Sequence, residues 1–166
     1  MSAITFSVTD ATSAEALWAM SQYFEELDRR FTHGFAAGEA LEEAVVMFKP
    51  PVGLVVVASN EGITVGCGAI HFVDDTTGEI KRMWISGALR GVGLGKRLLT
   101  FLEEQIAASG RSRVLLDTNA SLVEAIAMYR SCGYRPTGRY NDNPYADLWF
   151  EKHVPGTCHP MELPGH

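Results

Sequence analysis

The amino-terminal part of the chain shows two hydrophobic periods. Ile4 to Val8 alternates apolar with polar residues, and this period of two predicts a half-buried strand. Apolar residues then recur at spacings of three and four, which predicts a helix capped by Asp10 or Thr12. A second, short helix is predicted at 38–48, ending before the Pro50-Pro51 pair, which lacks backbone N–H donors. The stripe of the first helix consists of Leu17, Met20, Phe24, Leu27 and Phe31.

Three β-branched runs follow and predict an antiparallel meander. They cover 52–58, 63–72 and 79–86. Asn60-Glu61-Gly62, between the first two runs, suits a tight hairpin turn. Three strands that follow one another through short turns are typical of antiparallel pairing.

Helical and strand patterns alternate in the rest of the chain. Helices are predicted at 92–108 and 121–131, with a strand at 113–117 between them. Two short strands, 134–138 and 146–152, complete the pattern. Because an alternating segment follows the meander, the chain is predicted to be of the α/β class with a mixed sheet.

The composition is that of one globular domain. The chain has 166 residues, of which 46% are hydrophobic, and we expect one domain over 1–152 with a tail at 153–166. Twenty acidic against 14 basic residues give a net charge of −6, which argues against binding to nucleic acid or to an anionic membrane. The chain shows neither a secretory signal nor a long apolar stretch, so we expect a cytoplasmic location.

The cysteines and histidines do not indicate a metal site. Cys67, Cys132 and Cys158 are widely spaced and odd in number, so they predict neither a disulfide framework nor a CxxC site. His153, Cys158 and His159 carry groups that bind zinc, but they lie in the predicted tail without a second cluster. No metal is therefore expected.

The segment Arg90-Gly91-Val92-Gly93-Leu94-Gly95-Lys96 is the most informative for chemistry. It lies between a predicted strand and an amphipathic helix. Its glycines let the backbone approach a ligand closely, and the N–H groups that begin a helix bind phosphate. It is not a Walker A loop, because Arg97 follows Lys96, and it is not GxGxxG, because Lys96 takes the place of the last glycine. A loop whose glycines serve only conformation is the alternative.

Arg90-x-x-Gly93-x-Gly95 resembles the acyl-CoA signature of the GNAT superfamily of N-acetyltransferases. The resemblance covers residues 3–152. It implies a mixed, mainly antiparallel sheet of about six or seven strands flanked by about four helices, with the fourth and fifth strands splayed apart. The further segments that resemble the fourth strand, fifth strand, fourth helix and following turn of the family are Arg82-Met83-Trp84-Ile85, Asp117-Thr118-Asn119, Ala125, Tyr129 and Gly133-Tyr134.

The resemblance also implies acetyl-CoA as the acyl donor, bound in the opening between the splayed strands. It implies direct transfer to an amine, in which positioning removes much of the entropic barrier and no covalent enzyme intermediate is needed. The cofactor-binding residues that it implies are Met83, Trp84, Ile85, Arg90, Gly91, Val92, Gly93, Leu94, Gly95, Lys96, Asn119 and Ala125.

Tyr129 and Glu79 are the candidates for the two proton transfers. Tyr129 follows Ile126 by three residues on the apolar face of its helix, and the resemblance makes it the acid for the CoA thiolate. An ordinary core tyrosine is the alternative. Glu79 begins the fourth-strand run, where some family members place a catalytic glutamate, and is the candidate base, acting directly or through water. A solvated glutamate at a strand end is the alternative. The backbone N–H near Met83 could polarise the thioester oxygen.

The acceptor is less well defined by the sequence. Tyr140, Asp142 and Tyr145 lie in a short aromatic and polar loop that could frame it, although the same residues form turns for structural reasons. The preferred function is N-acetylation of a primary amine of a small molecule or amino-acid-like acceptor. The alternatives are a protein N-terminal or lysine acetyltransferase and a non-catalytic acyl-CoA sensor. The pair Tyr129 and Glu79 favours an enzyme, and a terminal strand or exposed helix could support a homodimer.

Overall fold

The computed structural model describes residues 3–31, 34 and 40–154. Within them, strands and helices follow one another in the order that the hydrophobic pattern predicts. The elements are β1 (Ile4–Thr9), α1 (Ala14–Arg30), α2 (Ala40–Met47), β2 (Gly53–Asn60), β3 (Ile63–Asp74), β4 (Thr77–Ile85), a 3₁₀ turn (Gly87–Leu89), α3 (Leu94–Ala108), β5 (Arg113–Thr118), α4 (Val123–Ser131), β6 (Arg135–Pro136) and β7 (Leu148–His153).

The strands form one mixed sheet in the order β1-β2-β3-β4-β5-β7-β6. Neighbouring strands are antiparallel except β4 and β5, which are parallel and joined by the crossover through α3. The described residues thus contain seven strands and four α-helices. The predicted mixed, mainly antiparallel sheet is confirmed.

The parallel pair β4 and β5 separates part of the way along its length. Pairing begins at Thr77↔Arg113 and ends at Glu79↔Leu115, although β4 continues to Ile85. Beyond Glu79, the edge of β4 that faces β5 therefore has no β5 partner in the ladder. Splayed fourth and fifth strands were predicted, and the cleft between them positions the candidate site.

A bulge in β4 lies beside this cleft. Two residues of β4, Arg82 and Met83, lie opposite one residue of β3, Gly68. Arg82 has a φ of 59°, in the left-handed region that side chains other than glycine rarely occupy. A Cβ atom at Gly68 would lie 2.7 Å from a methyl group of Leu102, so glycine permits α3 to pack closely against the sheet here.

The sheet buries both of its faces. On one face, α3 contributes Leu98, Leu102 and Ile106 to a cluster completed by sheet residues such as Val114 and Phe150. On the other face, α1 packs its apolar stripe against β2 and β3. Burial of two faces stabilises the sheet and leaves the splayed end as an opening through it.

Several element ends differ from the predicted ones, the cap of α1 and the end of β7 among them. The N-cap of α1 is Ser13, whose Oγ accepts a hydrogen bond from the Ala16 N–H at 3.2 Å. Asp10 cannot cap the helix because its carboxylate accepts the N–H and hydroxyl of Thr12 instead. His153, assigned to the tail, is the last residue of β7 and pairs with Arg113 of β5. No helix in the described part of the chain has the length and apolar character needed to cross a membrane.

Candidate active site

Two cavities meet at the splayed end of β4 and β5. The glycine-loop cavity, of about 600 Å³, lies between Met83–Ile85, the loop Arg90–Lys96 and α4. The aromatic cavity, of about 710 Å³, lies between Ile80–Met83, the end of β5, α1 and the loop before β7. Six residues line both cavities and so mark their junction: Tyr23, Leu27, Met83, Leu122, Ala125 and Tyr129.

The glycine loop exposes the start of α3 to its cavity. Gly91 and Gly93 have φ values of 86° and 84°, which an L side chain rarely adopts. Gly93 is the N-cap residue, and no side chain caps the helix, so the first N–H groups of α3 have no intrahelical or capping side-chain partner. A Cβ at Gly91 or Gly93 would meet no atom within 4 Å, which leaves room for a ligand against the backbone. Gly95 and Lys96 line the same cavity. This end of α3 suits a phosphate group.

The side chains of Val92 and Leu94 lie outside the glycine-loop cavity. Val92 is largely exposed, whereas the Leu94 side chain is buried in the core against which α3 packs. Neither side chain lines the glycine-loop cavity. Their expected part in cofactor binding is therefore limited to the backbone.

Arg90 is bound to the protein rather than directed only at a ligand. Its Nε and Nη2 donate to the Ile85 carbonyl at 3.0 and 2.9 Å, and its guanidinium forms an ion pair with Glu26. Burial acts to raise the pKa of Glu26, but the hydrogen bonds and charges of Arg90 and Arg30 outweigh it and hold that pKa below its usual range. Arg90 thus fixes the end of β4 against α1.

Tyr129 lies at the junction of the two cavities. Its side chain is on α4, and its ring packs beside Tyr134 and Phe150, with centroids 6.0 and 6.2 Å away. Burial, and secondarily the charge of Asp117, raise the pKa of Tyr129. The phenol therefore keeps its proton throughout the neutral pH range and is available as a donor.

Glu79 is buried just where β4 and β5 stop pairing. Its Oε2 lies 3.3 Å from Lys81 Nζ and accepts a hydrogen bond from Asn141 Nδ2 at 3.2 Å. His71 Nδ1 is 3.8 Å from its other oxygen. Glu79 is thus the third residue of β4, held by polar neighbours and 7% exposed, and is not a solvated residue at the strand end. It does not line the aromatic cavity itself.

Asp117, which the sequence reasoning did not assign to the site, does line the aromatic cavity. Its Oδ2 accepts from Asn141 Nδ2 at 2.6 Å and lies 4.0 Å from Lys81 Nζ. Glu79 and Asp117 therefore share two partners, a lysine and an amide. The signal available in the sequence was an acidic residue that follows the buried run Val114–Leu116 on a strand.

The side-chain amide of Asn141 has a fixed orientation. Its Oδ1 accepts from Trp149 Nε1 at 3.0 Å and from the Asn143 N–H at 3.2 Å. These two donors place the oxygen away from the carboxylates and direct Nδ2 between Glu79 and Asp117. The loop before β7 thus connects Glu79 and Asp117 through Asn141, which sequence reasoning also missed.

The structure separates the three predicted acceptor residues. Tyr145 lines the aromatic cavity and stacks on Phe31, with ring centroids 5.7 Å apart. Tyr140 is partly buried, and burial and the negative charges of Glu79 and Asp117 raise its pKa. Asp142 is fully exposed and outside the aromatic cavity, where it lies 3.6 Å from Arg139.

Asn119 and Trp84 complete the set of predicted residues. Asn119 donates from Nδ2 to the Tyr145 carbonyl at 2.8 Å and lines the aromatic cavity instead of the glycine-loop cavity. Trp84 lines the glycine-loop cavity and packs edge-on against Trp18. The described residues contain no cluster of three potential metal ligands, and Cys158 and His159 lie outside them.

A splayed parallel strand pair, a glycine-rich start to the crossover helix and two cavities that meet at the splayed end fit an acyl-CoA-dependent acyltransferase. The chain belongs to the acetyltransferase (GNAT) family, whose family model matches residues 15–134. The resemblance seen in the sequence is confirmed, and the protein is an acyl-CoA-dependent acetyltransferase.

Individual relatives agree with this assignment. The chain is 35% identical to an IAA acetyltransferase of Azospirillum brasilense over 151 residues, which covers 88% of this chain and 97% of the relative. A GNAT-family acetyltransferase of Staphylococcus aureus has the same fold, with a TM-score of 0.78 at 15% identity over 91% of this chain and 99% of that one. A GNAT-family acetyltransferase of Elizabethkingia anophelis with acetyl-CoA bound gives a TM-score of 0.68 at 15% identity, over 91% and 98% of the two chains.

Proposed function

We propose that the protein transfers an acetyl group from acetyl-CoA directly to the primary amine of a small molecule. The junction of the two cavities carries this proposal, because a thioester in the glycine-loop cavity and an amine in the aromatic cavity would meet there, beside Tyr129. The aromatic cavity has the size of a small-molecule site. The relative named IAA acetyltransferase also supports a small acceptor.

The residues around the glycine-loop cavity fit acetyl-CoA. Its pyrophosphate would be bound by the N–H groups between Gly91 and Lys96, where open space adjoins the helix start. The pantetheine arm would lie along Met83–Ile85, where β4 has no β5 partner, with Ala125 on the other side. Bound in this way, the cosubstrate supplies the thioester carbonyl that the amine attacks.

Two proton transfers accompany this attack. The ammonium gives a proton to Glu79, and the step is water-mediated because Glu79 does not line the aromatic cavity. The free amine then forms a bond to the carbonyl carbon, and the carbon–sulfur bond breaks. The departing thiolate takes the proton of the Tyr129 phenol. The acylated nitrogen loses its second proton, which restores the phenol through water, and Glu79 returns its proton to solvent. The backbone N–H of Met83, in the bulge, would stabilise the negative charge that develops on the carbonyl oxygen.

A thiol-release assay tests this function. Acetyl-CoA is offered with amino acids, polyamines, aminoglycosides or short peptides, while calorimetry measures CoA binding. We expect thiol release that depends on a small amine, with little release for the peptides. CoA binding without release in any arm would contradict transfer to these amines, and absence of CoA binding would contradict the assignment of the glycine-loop cavity.

A further inference from the structure

The aromatic cavity contains two buried groups of opposite charge on its walls. Arg82 lies on β4 with 9% of its side chain exposed, and Asp117 lies on β5 with 10% exposed. The other lining residues are mostly aromatic or aliphatic, including Tyr23, Phe24 and Leu27. Burying a charge is costly, so a buried cation and a buried anion that line the same cavity call for a functional explanation.

The bulge places Arg82 in this cavity. In a regular strand, consecutive side chains alternate between the two faces of the sheet. At the bulge, however, both Lys81 and Arg82 line the aromatic cavity, and Arg82 adopts a left-handed φ to do so. Backbone strain of this kind persists where the surrounding structure enforces it, often at ligand sites.

Two aromatic rings fix the Arg82 guanidinium. Its central carbon lies 5.2 Å from the centre of the Phe24 ring and 4.9 Å from that of Phe48. Ring contacts of this type use the face of the guanidinium, whereas carboxylate recognition uses the N–H donors at its edge. The two interactions are therefore compatible. Glu43, 3.7 Å away, has a side chain that is 60% exposed at the rim, where solvent screens its charge.

The charges of Arg82 and Asp117 both act on the Tyr23 side chain. Burial is the main cause of the raised pKa of Tyr23, but the Arg82 charge acts to lower that pKa and the Asp117 charge acts to raise it. Tyr23 lies at the junction of the cavities. An acceptor at this junction would therefore lie near both a positive and a negative charge.

We propose that the acceptor is an amino acid with a free carboxylate and an apolar side chain. Arg82 binds the carboxylate, Asp117 binds the ammonium, and the aromatic wall packs against the side chain. This inference rests on the proposed function and narrows its substrate class. The shared contacts of Asp117 with Asn141 and Lys81 keep its carboxylate at the wall of the cavity, near the buried Glu79 that takes the proton.

The test compares acceptors that differ only in the carboxylate. L-Phenylalanine is measured against L-phenylalaninamide and phenethylamine, and L-leucine against L-leucinamide, by thiol release with acetyl-CoA. The amino group is less basic in the amide than in the amino acid, and more basic in the decarboxylated amine. A preference for the amino acid over both compounds therefore reports on the carboxylate and not on basicity. We expect kcat/KM for the amino acids to exceed that of the amines that lack a carboxylate by about 30-fold, the range of a charge-assisted hydrogen-bonded pair.

Substitution of Arg82 then tests its role in binding the carboxylate. Arg82→Gln should remove the preference by raising KM for the amino acids more than it raises KM for the amines that lack a carboxylate. Arg111→Gln is the matched control, because Arg111 also packs on an aromatic ring, that of Phe72, but lies outside the cavity. Thermal unfolding checks that both variants are folded. If Arg82→Gln does not fold, the acceptor comparison in the unsubstituted protein still decides whether the site recognises a carboxylate.

The outcomes separate this inference from the proposed function. Equal acetylation of amino acids and of amines that lack a carboxylate would overturn the carboxylate site while leaving acetyl transfer to small amines standing. A preference for amino acids that survives in a folded Arg82→Gln variant would overturn the role of Arg82. Acetylation of none of these amines would overturn the narrowed substrate class, and the wider panel of amines would then decide the proposed function.

Discussion

Replacement of Tyr129 by phenylalanine tests the proposed chemistry most directly. The substitution removes one hydroxyl group at the junction of the cavities and keeps the ring contacts with Tyr134 and Phe150. Loss of a positioned general acid costs about 10²- to 10⁴-fold in rate. We expect a loss near the lower limit, about 100-fold in kcat. A thiol has a pKa of about 8.5 in water, so its thiolate is already a good leaving group and needs little help from an acid.

Binding of the cosubstrate should change little. The pyrophosphate site at the start of α3 does not include Tyr129, so the CoA dissociation constant should stay within about threefold of the unsubstituted value. Single-turnover thiol release measures the chemical step, and calorimetry measures CoA affinity. The free energy of unfolding should change by less than about 1 kcal/mol, because the packing of the ring is kept.

Tyr134→Phe is the matched control for this experiment. Tyr134 is also a buried tyrosine and touches the Tyr129 ring, but its hydroxyl donates to Glu103 at 2.7 Å on the α3 side of the sheet. Its loss should lower the free energy of unfolding by about 1–3 kcal/mol, because a buried carboxylate loses a partner, and should leave kcat nearly unchanged. Equal turnover in Tyr129→Phe and the unsubstituted protein, or a loss shared equally by both variants, would refute the assignment of Tyr129 as the acid.

Three further predictions concern the base, the loop and the buried tyrosines. Glu79→Gln should lower kcat about 100-fold with little change in CoA affinity, and unchanged turnover would exclude Glu79 as the base. Gly93→Val should weaken CoA binding, measured by calorimetry, at least about tenfold. Gly62→Val is the control, because Gly62 has a similar positive φ in the hairpin turn; it should carry the same backbone strain and leave CoA binding normal. Burial raises the pKa of Tyr23 and Tyr129. Above about pH 10 the unfolded chain therefore loses protons that the native protein keeps. The free energy of unfolding should then fall by about 1.4 kcal/mol per pH unit for each tyrosine. Urea unfolding across that range should show a shallower fall for Tyr129→Phe, and identical slopes would contradict this explanation.

Much of the fold and of the cosubstrate site was predictable from local pattern. Alternation of apolar residues depends on which face of a strand is buried, so β1 and the meander were visible in the sequence. The glycine loop was equally visible, because positive φ at Gly91 and Gly93 restricts the residue type at those positions. Boundaries were harder: the choice of Ser13 over Asp10 as the N-cap depended on where the chain turns toward the sheet.

The acceptor side of the site was much less predictable. Lys81 lies two residues from Glu79 on β4, but Asp117 and Asn141 are distant in sequence, and only the fold of the sheet and of the loop before β7 brings them to Glu79. Asp142 is one residue from Asn141, yet the fold of the loop leaves it exposed outside the cavity. A charged residue in a loop carries no local signal of the direction in which the loop will turn.

The sequence by itself determined the order of strands and helices, the glycine-rich loop before α3 and the family to which the chain belongs. These features depend on residues that are close together in the chain, where periodicity and backbone preference act. Tertiary structure decided how β4 and β5 separate, and how the bulge brings Arg82 into the cavity that Asp117 lines. Those features depend on the register and packing of segments far apart in sequence, and the charges that select an acceptor become neighbours only after the sheet has formed.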